Sequence, residues 1–178
     1  MYSTTFATAL GTFALIWTDR GLRRVFLPGG EAAEVAERMA KFGAEPETPT
    51  GAIAVLLDSI EDYADGINVD FSAVPLDLEC VPAFHRRCYD ILLTIAWGQT
   101  TTYGDMARQL GDVALSRAVG QAMGANPIPL IIPCHRVLAA NGAPGGFSAP
   151  GGTSSKRIML ALEGVEPGAP PGQMQFAF

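Results

Sequence analysis

Cys134 and His135 stand side by side in Asn126-Pro127-Ile128-Pro129-Leu130-Ile131-Ile132-Pro133-Cys134-His135-Arg136-Val137, among three prolines and a run of branched aliphatics. Proline fixes φ and stiffens the chain, and the aliphatic neighbours keep water away. A thiol on stiff backbone in a dry setting, with an imidazole at hand to take its proton, has the makings of a nucleophile. Only a few per cent of a free thiol is ionised at neutral pH, so such a base decides its reactivity. In an extended segment neighbouring side chains point to opposite faces, and the pair could then cooperate only through a turn or a bridging water. The plain alternative is a buried structural cysteine, since free cysteine is among the most buried residue types. The other cysteines offer less: Cys88 falls in a helical core stripe, and Cys80 in a linker with no base beside it.

The elements that must position Cys134 read as helices joined by tight turns. Phe84, Cys88, Leu92 and Ile95 recur at helical spacing, predicting one buried stripe that Gly98 ends. Thr102, with Asp105 three residues on, opens a second helix like a capping box, and Gly111 closes it. Ser116 to Ala125 is a Gly/Ala-rich helix, and interior glycine costs up to about 1 kcal/mol against alanine, so either a packed neighbour or a ligand comes close to it. Two short helices with a short turn between them form a helix-turn-helix, whose second member normally meets DNA. A last helix, about Ser154 to Leu162, carries Ile158, Met159 and Leu162 inward and stops at Gly164.

Upstream, Thr5 to Trp17 and Leu22 to Leu27 read as strands, with Asp19-Arg20-Gly21 as their hairpin turn. Residues 31–42 read as a helix with Ala32, Val35, Ala36 and Met39 on one face. After the linker Glu45 to Pro49, residues 51–65 form a second helix with Ile53, Leu56, Leu57 and Ile60 inward, and Asp70 to Val74 a last strand. This predicts a small α/β domain over 1–79, an α-helical domain over 80–165 and a tail over 166–178.

At 178 residues, 48% hydrophobic and 17% charged, the chain can fill a sizeable core. The net charge of −6 divides unevenly: residues 1–82 carry 5 basic and 13 acidic side chains, for −8, and residues 83–165 carry 7 and 4, for +3, with Glu166 the remaining −1. The positive half suits phosphate contact and the acidic half should face away from a duplex. No apolar run reaches about 18 residues and no basic stretch precedes an apolar core at the N-terminus, so neither membrane span nor signal peptide is expected, and a cytoplasmic location is. With three cysteines at least one thiol is unpaired, which suits a reducing compartment. His85 and His135 are too few for a histidine-based metal site, no Cys-x-x-Cys pattern occurs, and the glycines of 142–152 lack the Gly-Lys-Ser/Thr of a phosphate loop.

Together with Arg117-Ala118-Val119-Gly120, Gly145-Gly146-Phe147-Ser148, Lys156 and Leu162-Glu163-Gly164, the Cys134 stretch resembles the O6-alkylguanine-DNA alkyltransferases, over about residues 82–165. The resemblance implies a ribonuclease H-like N-terminal α/β domain and a winged helix-turn-helix C-terminal domain. It implies irreversible transfer of the alkyl group from O6-alkylguanine, or O4-alkylthymine, to Cys134, without cofactor or metal and once per molecule. Glu163 would orient His135, which would activate Cys134 through water, and Asn126 would brace the turn. Arg117 would enter the duplex as the lesion is rotated out, with Ala118, Gly120 and Gln121 on the same minor-groove helix. Tyr103 would crowd a phosphate and bond the flipped base, and Met123, Val137, Gly145, Phe147 and Ser148 would line the pocket. The implied partner is double-stranded DNA, met by a monomer. Two departures stand out: Phe147 replaces a commoner tyrosine, and Ala149-Pro150 lengthen the loop before Gly151-Gly152. Zinc-binding members use N-terminal cysteines and histidines, of which residues 1–79 have none. The rival readings are a lesion sensor without transfer activity, whose relatives lack the nucleophile, and an unrelated cysteine hydrolase using Cys134, His135 and Glu163.

Overall fold

The computed structural model describes residues 1–30 and 32–168. The expected helix start at residue 31, the inward side chain of Ala32 and residues 169–178 of the expected tail lie outside the described part. Strands β1 (Tyr2–Thr8), β2 (Gly11–Thr18), β3 (Gly21–Phe26) and β4 (Glu45–Pro46) form a sheet in the order β3-β2-β1-β4, antiparallel except for the β1-β4 pair. Side chains alternate across β2. Ala14 faces Val35 and Met39 of α1 (Ala32–Ala40), while Phe13, Leu15 and Trp17 face the main core beside Ile53, Leu56 and Ile60 of α2 (Gly51–Ala64). Expected inside, Ala36 is exposed and Leu57 only half-buried.

Two readings of this half are corrected. Thr5 to Trp17 is a hairpin and not one strand: Thr8 Oγ1 donates to Gly11 O at 3.0 Å and accepts from Leu10 N at 3.1 Å, which turns the chain. Asp70 to Val74 forms no strand. The Asp70 carboxylate accepts from the Ser72 amide at 2.8 Å and its hydroxyl at 2.9 Å, offering the backbone a turn in place of a ladder. Pairing comes later, where Leu22 donates to Pro75 O and accepts from Asp77 N, both at 2.8 Å.

The remaining elements are α3 (Ala83–Leu92), β5 (Thr101–Thr102), α4 (Tyr103–Gln109), a 3-10 turn (Val113–Leu115), α5 (Ser116–Gly124), a second 3-10 turn (Cys134–Arg136), β6 (Val137–Leu138) and α6 (Thr153–Leu162). Helix α3 buries Cys88, Tyr89 and Leu92 but stops short of Ile95, because the Thr94 hydroxyl closes a tight turn on Ile91 O at 2.7 Å. At α4, Thr102 Oγ1 accepts from Asp105 N at 3.0 Å, the expected cap. Tyr89 donates to Ala122 O at 2.9 Å and fastens α5 to α3. Helix α6 is corrected in its face: Ile158 is 51% exposed, and the inner stripe is Lys156, Met159, Leu160 and Glu163. One continuous core, from Phe13 through Cys88 to Met159, joins the two halves, and no helix among the described residues is long and apolar enough to cross a membrane.

Candidate active site

The segment before Cys134 is a tight loop held by its own first residue. Asn126 Oδ1 accepts from Ile128 N at 3.0 Å and Nδ2 donates to Ile132 O at 2.8 Å, while Ile132 N reaches Ile128 O at 2.9 Å. Leu130 sits at φ 79°, a conformation costing a branched residue about 1–2 kcal/mol. Its side chain is buried, which returns about as much. Val25 N donates to Pro127 O at 3.0 Å, so β3 clamps this loop. Beyond Pro133 the chain turns through Cys134–Arg136 and enters β6, which pairs with β5 (Thr101 with Val137, Thr102 with Leu138). This two-residue clip sets Tyr103, the first residue of α4, beside the Cys134 turn.

The turn brings Cys134 and His135 into one buried site without joining their side chains. His135 Nε2 meets Glu163 Oε1 at 2.7 Å. Arg136 donates to the same carboxylate through Nε at 2.8 Å and Nη2 at 2.9 Å, and Tyr63 of α2 donates to Oε1 at 3.2 Å. Burial works against ionisation of Glu163, but the bonds from His135 and Arg136 outweigh it and hold its pKa down to about 2. An ionised carboxylate only accepts, so Nε2 carries the imidazole hydrogen and Nδ1 keeps its lone pair. Nδ1 is buried with no hydrogen-bond partner among the described residues. Burial lowers the pKa of His135 further than Glu163 raises it, so the ring is neutral at pH 7.

Burial likewise raises the pKa of Cys134, against the opposing pull of Asn126, Lys156 and the backbone amides of Cys134 and His135. The resting thiol therefore holds its proton, and a thiolate must be made by proton transfer. Lys156 is fully buried, donates to Val137 O at 2.6 Å and lies 6.0 Å from the Tyr103 ring centre. Burial lowers its pKa to about 8, with the Cys134 charge pulling the other way. An ammonium thus stands ready to favour the thiolate once formed.

Cys134 forms the floor of a cavity of about 410 Å³ walled by Tyr103, Gly120, Met123, Gly124, Gly146, Phe147 and Ser148. Of the pocket residues read from the sequence, Met123, Phe147 and Ser148 meet here, and Val137 and Gly145 do not. Val137 is buried in β6, and Gly145 packs on Tyr103, where a Cβ would lie 3.3 Å from the ring and φ is +63°. Arg117 and Gln121 are exposed on α5, outside the cavity, and Ala118 is half-buried. Sequence reasoning passed over Arg136 and Tyr63. Arg136 adjoins His135 in the turn, but nothing marks Tyr63 apart from the α2 core stripe it extends. No cluster of three His, Cys, Asp or Glu side chains among the described residues could hold a metal ion.

Residues 83–165 match the family model described as 6-O-methylguanine DNA methyltransferase, DNA binding domain. The methylated-DNA–protein-cysteine methyltransferase of Methanothermobacter thermautotrophicus is 35% identical over 151 residues, 85% of this chain and 78% of that protein. Its namesake in Methanosarcina acetivorans is 32% identical over 171 residues, 92% of this chain and 99% of that one. In three dimensions the chain is similar to the crystal structure of Mycobacterium tuberculosis OGT in complex with DNA, with a TM-score of 0.75, 32% identity and 92% of each chain covered. With the likeness running through both halves, the chain belongs to the methylated-DNA–protein-cysteine methyltransferase family.

Proposed function

We propose that this protein repairs DNA by transferring the alkyl group from O6-alkylguanine, or O4-alkylthymine, irreversibly to Cys134, once per molecule. The observation that carries the reading is a neutral His135, its Nε2 hydrogen fixed on Glu163 and its Nδ1 lone pair unused, next to a protonated thiol at the floor of a cavity. That is a base waiting for a proton. The Cys134 proton passes to Nδ1 through a bridging water, and the imidazolium formed is held by Glu163. The sulfur then attacks the alkyl carbon in line. The S–C bond forms, the C–O6 bond breaks with its pair going to O6, and the base takes up the proton the thiol gave. A thioether is not hydrolysed under these conditions, so the molecule stops after one event.

The cavity falls in the size range of small-molecule sites, and a base must leave the duplex to enter it, at a cost of a few kcal/mol. We assign Arg117, exposed at the start of α5, to the vacated space, and Ala118, Gly120 and Gln121 to the minor-groove face of a monomer. Tyr103 bonds the flipped base, and Met123, Phe147 and Ser148 hold it. The β3-β2-β1-β4 order supports a ribonuclease H-like reading of residues 1–79, and the α4-turn-α5 arrangement supports a winged helix-turn-helix over 80–165. Arg117→Ala should slow repair of duplex lesions far more than reaction with the free alkylated base, because only the duplex requires flipping. Equal losses on both substrates would remove Arg117 from this role.

A further inference from the structure

We infer that a second cavity, of about 350 Å³ and behind the Cys134–Arg136 turn, is a binding site for a neutral aromatic ring that carries a carbonyl, as an aromatic amide or lactam does. Segments 68–72 and 93–97 face Leu130, Ile131, Pro133 and Arg136 across it, and none of these residues lines the base cavity. The size suits one ring or two fused rings. So do the walls: Val69, Ile95 and Leu130 are apolar, and Phe71 and Trp97 both pack on the Tyr63 ring, at 6.2 Å and 5.5 Å between centres. Leu93, 41% exposed, stands at the mouth. Cys134 takes no part, so this site stands or falls apart from the alkyl-transfer reading.

Arg136 gives the cavity its polar wall. The residue is 7% exposed, and it lines this cavity and not the base cavity. A guanidinium has five N–H groups, and three are engaged here: one on Nε and one on Nη2 with Glu163, and one on Nη1 with Ile95 O. Ile95 lines the cavity too, so the head of Arg136, and not its stem alone, lies at the wall. Two N–H groups remain, and a buried donor without a partner is costly. The surroundings decide which acceptor fits. Glu163 already balances the Arg136 charge and the exposed Asp70 carboxylate lines the mouth, so a ligand carboxylate would face two like charges. An ammonium would face the guanidinium. A carbonyl oxygen brings two lone pairs and no charge, which matches the two N–H groups left over. The other polar side chains of the lining, Asn68, Ser72 and Thr94, are exposed at the rim and leave the apolar walls to the ring.

The test titrates the whole isotope-labelled protein with benzamide, benzoate and benzylamine and follows its amide resonances by NMR. Benzamide should shift the amides of 68–72, 93–97 and 130–136 together and saturate with a Kd on the order of millimolar, as one ring with one polar group allows. Benzoate should bind on the order of tenfold more weakly, and benzylamine should leave these amides unmoved. Ala96 and Asn68 line the cavity from its exposed rim. Ala96→Phe and Asn68→Phe, each placing a ring in the cavity, should weaken benzamide binding about tenfold or more while leaving O6-methyl transfer unchanged. Shifts confined to 120–124 and 146–148 would put benzamide in the base cavity and overturn the site. No saturable shift, or binding indifferent to both variants, would overturn it as well, and benzoate binding as tightly as benzamide would overturn the neutral acceptor. A protein that binds benzamide here and transfers no methyl group would keep this site and overturn the alkyl-transfer reading alone.

Discussion

Asp77, in the connection between the halves, and Glu163, at the end of α6, are buried carboxylates with much the same kind of surroundings. Asp77 accepts from Thr18 at 2.8 Å, Arg23 at 2.9 Å and Arg20 at 3.4 Å, as Glu163 accepts from Tyr63, Arg136 and His135. In both, burial opposes ionisation and the donors outweigh it, bringing each pKa to about 2. Each even has a cysteine nearby, since Arg23 donates to Cys80 at 2.9 Å. The difference lies in what the donors can do next. Arginine never gives up its proton, so the Asp77 cluster is a staple between β2, β3 and the connection. An imidazole can take a proton on its far nitrogen, and only Glu163 holds one. A perturbed carboxylate next to a thiol is thus no mark of a site by itself; a proton acceptor between them is.

The largest expected effect separates the clusters by rate. His135→Ala should lower the alkylation rate by roughly 10²-fold to 10⁴-fold, the usual range for a positioned base, with lesion binding retained. What remains should climb steeply into alkaline pH, because burial raises the Cys134 pKa and the thiol must then ionise unaided. Single-turnover rates against pH read both effects. An unchanged rate would mean that another group takes the proton.

Next comes a paired comparison by stability. Glu163 has its pKa lowered from 4.5 and Asp77 from 3.8, each to about 2. A depressed carboxylate pKa adds stability that is complete above the ordinary value and lost as pH falls towards the folded one. Both contributions should therefore disappear between about pH 4.5 and pH 2, about 3 kcal/mol for Glu163 and about 2 kcal/mol for Asp77. Glu163→Gln and Asp77→Asn should each lose stability of that order near neutral pH, measured by denaturant unfolding, yet only Glu163→Gln should slow alkyl transfer. Equal slowing by both would make the Glu163 effect structural.

The smallest effect lies between the halves. Tyr63→Phe removes one neutral hydroxyl from Glu163 and leaves His135 and Arg136 in place, so about 1 kcal/mol of stability and a few-fold in rate are expected to go. A loss as large as that of His135→Ala would show that Tyr63 does more than brace the carboxylate.

The legible part of the site was the part set by local sequence. Cys134 and His135 are neighbours in a stretch too stiff and too apolar to pass as a loop, and Asn126 heads a turn that its own side chain can bond. Glu163 was named through the resemblance, as part of Leu162-Glu163-Gly164, and not through a local signal of its own. Tyr63 could not be named, since a tyrosine in an amphipathic stripe reads as core and its hydroxyl meets Glu163 a hundred positions on. Lys156 was visible only as a motif residue, and its burial was not: the fold buries it fully, while Ile158, expected inward, is exposed. The strand expected at 70–74 failed for a related reason: alternation was present, but Asp70 and Ser72 satisfied each other locally. Pairings between distant segments, such as β5 with β6 over two residues, leave almost no local trace, and that clip is what carries Tyr103 to the thiol.

The central claim, that Cys134 is a nucleophile used once, is tested most directly by stoichiometry. Incubated with an excess of duplex containing O6-methylguanine, the protein should restore one guanine per molecule and then stop, gain the mass of one methyl group, and carry it on the peptide containing Cys134 and on neither Cys80 nor Cys88. Cys134→Ser should bind the lesion and transfer nothing. Repair continuing past the first equivalent, or a methyl group found on Cys80, would contradict the account.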